Sequence, residues 1–300
     1  MPAGNVSMMP ILASKAVEGG ERPCERTARD SPEAIQTPAE STQVSWDDVW
    51  IVIPAYDEAR TIRRLTLEAL ALCPRVVVVN DASRDETVAE LQGLPAVVLS
   101  HAVNRGKAAS LRTAFTYALA HGAQCVISLD GDGQHDPRDA PSLLSAWRRH
   151  PEAIVIGSRI HDRAHFPVAR YLANRVASFW ISWAAGHPIA DTQSGFRVYP
   201  RAVMQLASEG AVESGRFAFE SEILIEAARR RVVTLAVAIP SCYPTQARAS
   251  HFRPVRDILE ITVMVAGRLL RRGMAPRDLW NSLKPALVLQ GRVQAGQRSP

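Results

Sequence analysis

The chain has 300 residues, 47% of them apolar and 22% charged, with 35 Lys and Arg against 30 Asp and Glu for a net charge of +5. This is the make-up of a soluble globular protein long enough to bury a real core, without the charge blocks of a nucleic-acid-binding tail. The four cysteines (Cys24, Cys73, Cys125, Cys242) form no C-x-x-C pair, which argues against a disulfide scaffold or zinc ribbon and makes a reducing, cytoplasmic address the expectation.

Residues 1 to 45 carry no apolar periodicity and are expected to be a disordered tail. From Val49 the texture changes. Trp50 to Ile53, Val76 to Val79, Ala96 to Leu99 and Cys125 to Leu129 read as buried strands. Helical patterns over Glu58 to Leu72, Asp85 to Leu91 and Lys107 to His121 separate them. Short apolar runs alternating with helices predict a doubly wound α/β fold with a mostly parallel sheet. Farther on the pattern is less regular: helices over Ala169 to Ala185, Phe217 to Arg230 and Asp257 to Arg272, and a strand over Val232 to Ile239. After Pro276 the chain is basic and sparse in apolar pattern, and the whole division reads as a folded domain over 46–255 followed by a C-terminal amphipathic helix and basic tail over 256–300. No apolar run reaches the roughly 18 residues of a membrane span. The start, MPAGNVSMMPILASK, lacks the basic and apolar regions of a secretory leader.

In such a sheet ligands sit beyond the carboxyl ends of the strands, and the polar motifs fall there. LDGDGQHDP (129–137) puts Asp130 and Asp132 directly after a strand with one glycine between them. Two hard oxygen ligands on a sharp turn suit Mg²⁺ or Mn²⁺ already bound to a diphosphate, with Gln134 and His135 able to complete the shell. The plain alternative is an Asp-Gly turn with solvated carboxylates. In IVIPAYDEARTI (51–62), Tyr56 and Glu58 suit a base and ribose, or simply open a helix. Asp81, at the next strand end, can accept from a nucleobase N–H or act as a cap. In NRGKAAS (104–110), Lys107 opens a helix where ammonium and backbone N–H groups can face phosphate. It is not a Walker A loop, because His101 and Ala108 stand where that motif needs Gly and Ser or Thr. His161 and His165 lack the glutamate of a zinc-binding helix, and no basic patch with interleaved aromatics suggests nucleic acid as a partner.

Together these segments, with GSR (157–159), DTQSGFRVYP (191–200), FAFESEILIEA (217–227) and RASHFRPVRD (248–257), resemble glycosyltransferase family 2 with its GT-A fold, in the branch acting on polyprenyl or dolichol phosphate. The resemblance spans residues 49 to 272. It implies a nucleotide site at Pro54, Tyr56, Glu58 and Asp81, and a metal–diphosphate motif at Asp130, Asp132 and Gln134. It further implies roles for Arg159 and for Arg170 or Arg175 near an acceptor lipid phosphate, for Ser194 and Gly195 in the SGF turn, and for Arg248, Ser250 and Arg253 in a segment closing on the donor phosphates. The compact Arg-Ala-Ser-His-Phe-Arg departs from the family's usual Arg-x-x-Gly-x-Ser, and the transmembrane helices that end some relatives have no counterpart here.

The implied activity is inverting transfer of a hexose from a nucleotide sugar (GDP-mannose or UDP-glucose type) to a lipid acceptor, foremost polyprenyl phosphate, with Mg²⁺ or Mn²⁺ as cofactor. Transfer to a hydroxyl of another lipid, a phenolic metabolite or a glycan is the enzymatic alternative and would need a base, for which Asp191 stands first with Glu220 or Glu222 behind it. A nucleotide-sugar-binding regulator is the non-enzymatic alternative. The apolar side of 258–270, ending in Arg271 and Arg272, suggests peripheral contact with the inner face of the plasma membrane or a helix packed on the core; Phe179 to Trp183 poses the same choice. Ten basic and three acidic residues lie between Arg248 and Pro300, so this stretch holds the whole positive excess.

Overall fold

The computed structural model describes residues 44–159, 168–209, 218–240 and 254–290. The tail expected over 1–45 therefore lies almost wholly outside the described residues, as do His161, His165, Arg248, Ser250 and Arg253.

The elements run β1 (Val49–Ala55), α1 (Ile62–Leu70), β2 (Val76–Asn80), α2 (Thr87–Glu90), β3 (Val97–Ser100), α3 (Lys107–Ala120) and β4 (Cys125–Ser128). Then follow α4 (Ala140–Arg149), β5 (Ile154–Ser158), α5 (Val168–Ala185), β6 (Arg197–Pro200), α6 (Arg201–Ser208), α7 (Phe219–Arg229), β7 (Thr234–Ala238), α8 (Pro254–Arg271), α9 (Pro276–Ser282) and β8 (Val288–Gln290). They build one eight-stranded sheet in the order β3-β2-β1-β4-β6-β5-β7-β8. Every pairing is parallel except those of β6, which runs antiparallel to both β4 and β5. The buried β-branched runs explain the strands: Val76 to Val79 are at most 1% exposed and feed both faces, Val77 and Val79 packing toward α3 and Val76 and Val78 toward α1 and α4.

Several boundaries differ from the sequence pattern. Helix α1 starts at Ile62 rather than Glu58, because Asp57 takes a left-handed φ of 56° and the N–H groups of Glu58 and Ala59 bond to Thr87 and Asp85 across the next loop. Helix α2 begins at Thr87, where the Asp85 carboxylate accepts the Thr87 N–H at 3.0 Å. The irregular middle of the chain holds α4, β5, β6 and α6, which the periodicity left unassigned. The stretch after Pro276 returns to the sheet, as β8 pairs with β7 in register Ala236↔Val288 to Ala238↔Gln290. Helix α8 packs Val265 and Leu269 into the core while Val263 and Leu270 face outward, so core packing and surface exposure fall on opposite sides of one helix.

Arg148, at the end of α4, grips the Asp48 carboxylate with both terminal nitrogens and donates to the Ser45 carbonyl, tying the approach to β1 onto the helix layer. That hydrogen bonding holds the Asp48 carboxyl below its ordinary range. A carboxylate depressed in the folded state stabilises above its unfolded pKa and stops doing so as pH falls through the folded value. Wild type is therefore expected to exceed Asp48→Asn by about 0.5–1 kcal/mol at pH 7, with the gap closing in urea titrations run below about pH 4. A gap that persists in acid would contradict this.

Candidate active site

The loops leaving β1, β2 and β4 meet at the carboxyl edge of the sheet, and each is fixed by its neighbours. The N–H of Asp57 donates to Ser83 Oγ at 2.9 Å, and Asp57 Oδ1 accepts the N–H of Arg84 at 2.6 Å. These reciprocal bonds pin two residues at positive φ, Asp57 and Ala82 (58°), at the ends of adjacent strands. Such backbone is held only where its surroundings over-determine it. Pro54, Tyr56 and Glu58 stand half-buried along this edge. Thr61 Oγ donates to the Gly131 carbonyl at 2.5 Å, joining the first loop to the DGD turn.

Asp81 is 3% exposed, and its carboxylate is already heavily used. Oδ1 accepts the N–H of Arg105 at 2.8 Å and lies 2.7 Å from His101 Nδ1, while Oδ2 accepts the N–H of Gly106 at 2.6 Å. The side chain thus organises the loop that presents Lys107. Gly106 there has φ 84°, a conformation glycine enters at no steric cost.

Lys107 is the electrostatic centre of this edge. Its ammonium lies 2.6 Å from Asp130 Oδ1 and 2.8 Å from Glu220 Oε2, the latter at the opening of α7. Burial opposes its charge, but the two carboxylates outweigh that and raise its pKa above the ordinary lysine value. Burial likewise works against Asp130, and Lys107 more than offsets it, holding that carboxyl below its usual range. Asp132 goes the other way, raised first by burial and then by the charge of Asp130. His135, pushed down to about 3 by burial and by Arg159, is neutral and lies tilted against Phe196, ring centroids 5.3 Å apart. Its Nδ1 is buried without a partner.

Asp130 also has a steric constraint. A Cβ on Gly195 would lie 2.3 Å from Asp130 Oδ2 and 2.7 Å from its Cγ, so only glycine leaves room for the carboxylate. The turn carrying Gly195 is held by Ser128 Oγ, which donates to the Gly195 carbonyl at 2.6 Å. Ser194 and Asp191 are both fully buried. Asp191 accepts the N–H of Arg159 at 3.2 Å and the N–H of Gln193 at 3.3 Å, one on each oxygen. Arg159, 8% exposed, extends from the end of β5 to the Gln134 amide oxygen at 3.5 Å. Arg170 lies on α5 with no described side chain, and Arg175 is exposed on the same helix. Asp130, Asp132, Gln134, Lys107 and Arg159 are thus gathered at one edge, with Glu220 added by α7. Among the described residues no three His, Cys, Asp or Glu side chains are grouped to hold a metal ion.

The residue that the motifs did not single out is Arg197. It is fully buried on β6, and its guanidinium donates to the carbonyls of Ser194 (2.7 Å), Thr192 (2.7 Å) and Glu220 (2.8 Å) and to the Tyr199 hydroxyl (3.3 Å). The available signal was an arginine inside a short strand otherwise free of charge, since a buried charge must be paired.

Residues 50–205 match the model of glycosyl transferase family 2, and the chain belongs to that family. It is 28% identical over 254 residues to the undecaprenyl-phosphate mannosyltransferase of Micrococcus luteus, covering 80% of this chain and 99% of that one. It is 24% identical over 216 residues to a UDP-N-acetylglucosamine–dolichyl-phosphate N-acetylglucosaminyltransferase of Methanococcus voltae, covering 65% and 86%. Glucosyl-3-phosphoglycerate synthase from Mycobacterium tuberculosis, solved with Mn²⁺, UDP-glucose and phosphoglyceric acid, shares the fold at a TM-score of 0.52 and 19% identity, over 75% of this chain and 79% of that one. The fold is GT-A and the protein is a glycosyltransferase.

Gly195→Ala is expected to push the Asp130 carboxylate off its position. Donor affinity should fall at least about tenfold, as for loss of a close charged contact, with little change in thermal midpoint. Unchanged donor binding in calorimetry would show that Asp130 tolerates the displacement.

Proposed function

We propose that this protein is an inverting glycosyltransferase moving a hexose from a nucleotide sugar to a polyprenyl phosphate. Its relatives of named activity act on undecaprenyl and dolichyl phosphates. The observation that carries the reading is the charge arrangement at the sheet edge. Lys107 and Arg159 offer cationic groups beside Asp130 and Asp132, while Asp191 keeps both oxygens on backbone N–H groups and is fully buried. A lipid phosphate is already an anion and requires no strong base to attack the anomeric carbon. A hydroxyl acceptor requires one. Asp191 then serves as the residue that holds Arg159 in place.

The donor set at the DGD turn fits a divalent cation. Asp130, Asp132 and the Gln134 amide supply hard oxygens, and Asp132, raised first by burial and then by the charge of Asp130, sits in a crowded acidic pair. These residues would hold Mg²⁺ or Mn²⁺, which would supply positive charge against a departing diphosphate. Lys107 adds its ammonium as the first residue of the 14-residue helix α3, at the positive end of the helix dipole. Pro54, Tyr56 and Glu58 line the neighbouring edge as the base and ribose wall, and Asp81 shapes the loop behind it. Arg159 steers the acceptor phosphate through bidentate contacts that lysine cannot reproduce. Arg248 and Arg253, outside the described residues, are proposed to meet the donor phosphates.

A bilayer is the natural source of such an acceptor. No helix among the described residues is long and apolar enough to cross a membrane. Leu172, Val176, Phe179 and Trp180 are exposed along one face of α5 at positions i, i+4, i+7 and i+8, and Trp280 on α9 is 73% exposed. Apolar and aromatic side chains in that arrangement suit the headgroup boundary. We place the membrane contact there, and assign 46–255 with its C-terminal extension to one catalytic unit.

The decisive assay offers UDP-glucose, GDP-mannose and UDP-N-acetylglucosamine with Mn²⁺ and undecaprenyl phosphate, and follows sugar into the organic phase. Transfer is expected from at least one donor, and Asp132→Ala should reduce it by about 10²–10³. No transfer to lipid phosphate from any donor would overturn the reading. Separately, Trp180→Ser with Trp280→Ser is expected to reduce sedimentation with phosphatidylglycerol vesicles several-fold at unchanged donor affinity. Undiminished sedimentation would move the contact elsewhere.

A further inference from the structure

We infer that Arg197 is a positioning residue for the donor site, acting through two backbone segments that its guanidinium joins. The inference rests on the glycosyltransferase reading above and gives a role to Arg197, which lies within DTQSGFRVYP but to which the resemblance assigned none.

Its argument starts from cost. A guanidinium carries five N–H donors and cannot shed its proton, so full burial is tolerated only when those donors are met. Four acceptors meet them here: three main-chain carbonyls and one phenolic oxygen. Burial works against the charge, while Tyr199, Glu220 and Asp191 favour it. The four acceptors do not belong to one element. Thr192 and Ser194 lie in the turn before β6, Tyr199 lies on β6 itself, and Glu220 lies in the first turn of α7.

Both carbonyl-bearing segments lead straight to the charged cluster around Lys107. The turn continues into Gly195, whose missing Cβ makes room for Asp130. The first turn of α7 carries the Glu220 carboxylate that takes one side of Lys107, while its carbonyl is held by Arg197. The planar fork therefore fixes the distance between the floor under Asp130 and the arm that holds Lys107. No single strand or helix supplies that distance. A lysine at 197 keeps the charge but offers a point donor on a flexible stem and cannot span both segments.

The test compares wild type with Arg197→Lys. Donor KM and the Kd for UDP and GDP with Mn²⁺ are expected to rise at least about tenfold, while KM for undecaprenyl phosphate stays within about twofold. Guanidinium chloride at low millimolar concentration is expected to restore part of donor binding in Arg197→Ala. Should Arg197→Lys fail to fold, Tyr199→Phe removes one acceptor only, and a twofold to fivefold weaker nucleotide affinity at unchanged thermal midpoint supports the inference. Donor and acceptor KM moving together, or a lowered midpoint with donor affinity intact, would overturn it by reducing Arg197 to a core residue. Wild type that binds neither nucleotide and transfers no sugar sinks the glycosyltransferase reading itself, a different failure from equal nucleotide binding by wild type and variant.

Discussion

A buried positive charge on β6 organises the active edge of this protein. Left unpaired, the Arg197 guanidinium would cost far more than a strand of four residues returns, and breaking a satisfied buried charge set typically costs about 3–5 kcal/mol. The chain meets its donors with carbonyls from a turn and a helix start, which therefore have to approach β6 from two directions. That requirement accompanies the one antiparallel strand in the sheet. Lying between β4 and β5, β6 carries the 191–196 turn back toward the end of β4, where Asp130 begins the DGD turn.

Around this anchor the site is built by interlocked carboxylates, each serving the next loop. Asp57 holds the loop after β2, Asp85 and Thr87 hold the loop after β1, and Asp81 holds the loop before α3. Acidic residues at strand ends thus divide by use. Asp57, Asp81, Asp85 and Asp191 spend their oxygens on backbone N–H groups. Asp130 and Glu220 keep theirs on Lys107, and Asp132 stands between, with one oxygen on the Gln134 N–H at 2.9 Å. A carboxylate saturated by backbone donors stiffens a pocket; one balanced by a mobile ammonium can exchange that partner for a ligand.

The first half of the sheet was legible because its strands are unbroken apolar runs buried on both faces, and the intervening helices repeat the same signal. The DGD turn was equally legible, since two acids separated by one glycine after a strand have few structural uses. Beyond residue 137 the pattern found α5, α7, β7 and α8 but missed the remaining elements, for physical reasons. Strand β6 is four residues long and includes a charged side chain, β8 is three residues long at a sheet edge, and α6 begins on the residue after β6 ends. Elements so short are fixed by their neighbours rather than by their own periodicity. The start of α1 was misplaced because Asp57 turns left-handed, a choice made by Ser83 and Arg84 on another loop.

The sequence by itself determined the α/β architecture and the strand-end location of the polar motifs that carry Asp130, Asp132 and Lys107, because local apolar periodicity and turn spacing are properties of adjacent residues. Tertiary structure decided which carboxylates remain available and which are consumed by backbone. It decided that Gly195 makes room for Asp130 across 65 positions of chain, and that Arg197 joins residues 192 and 220. Those outcomes depend on which donors and acceptors arrive at one place, and arrival is set by sheet order, which no local pattern encodes.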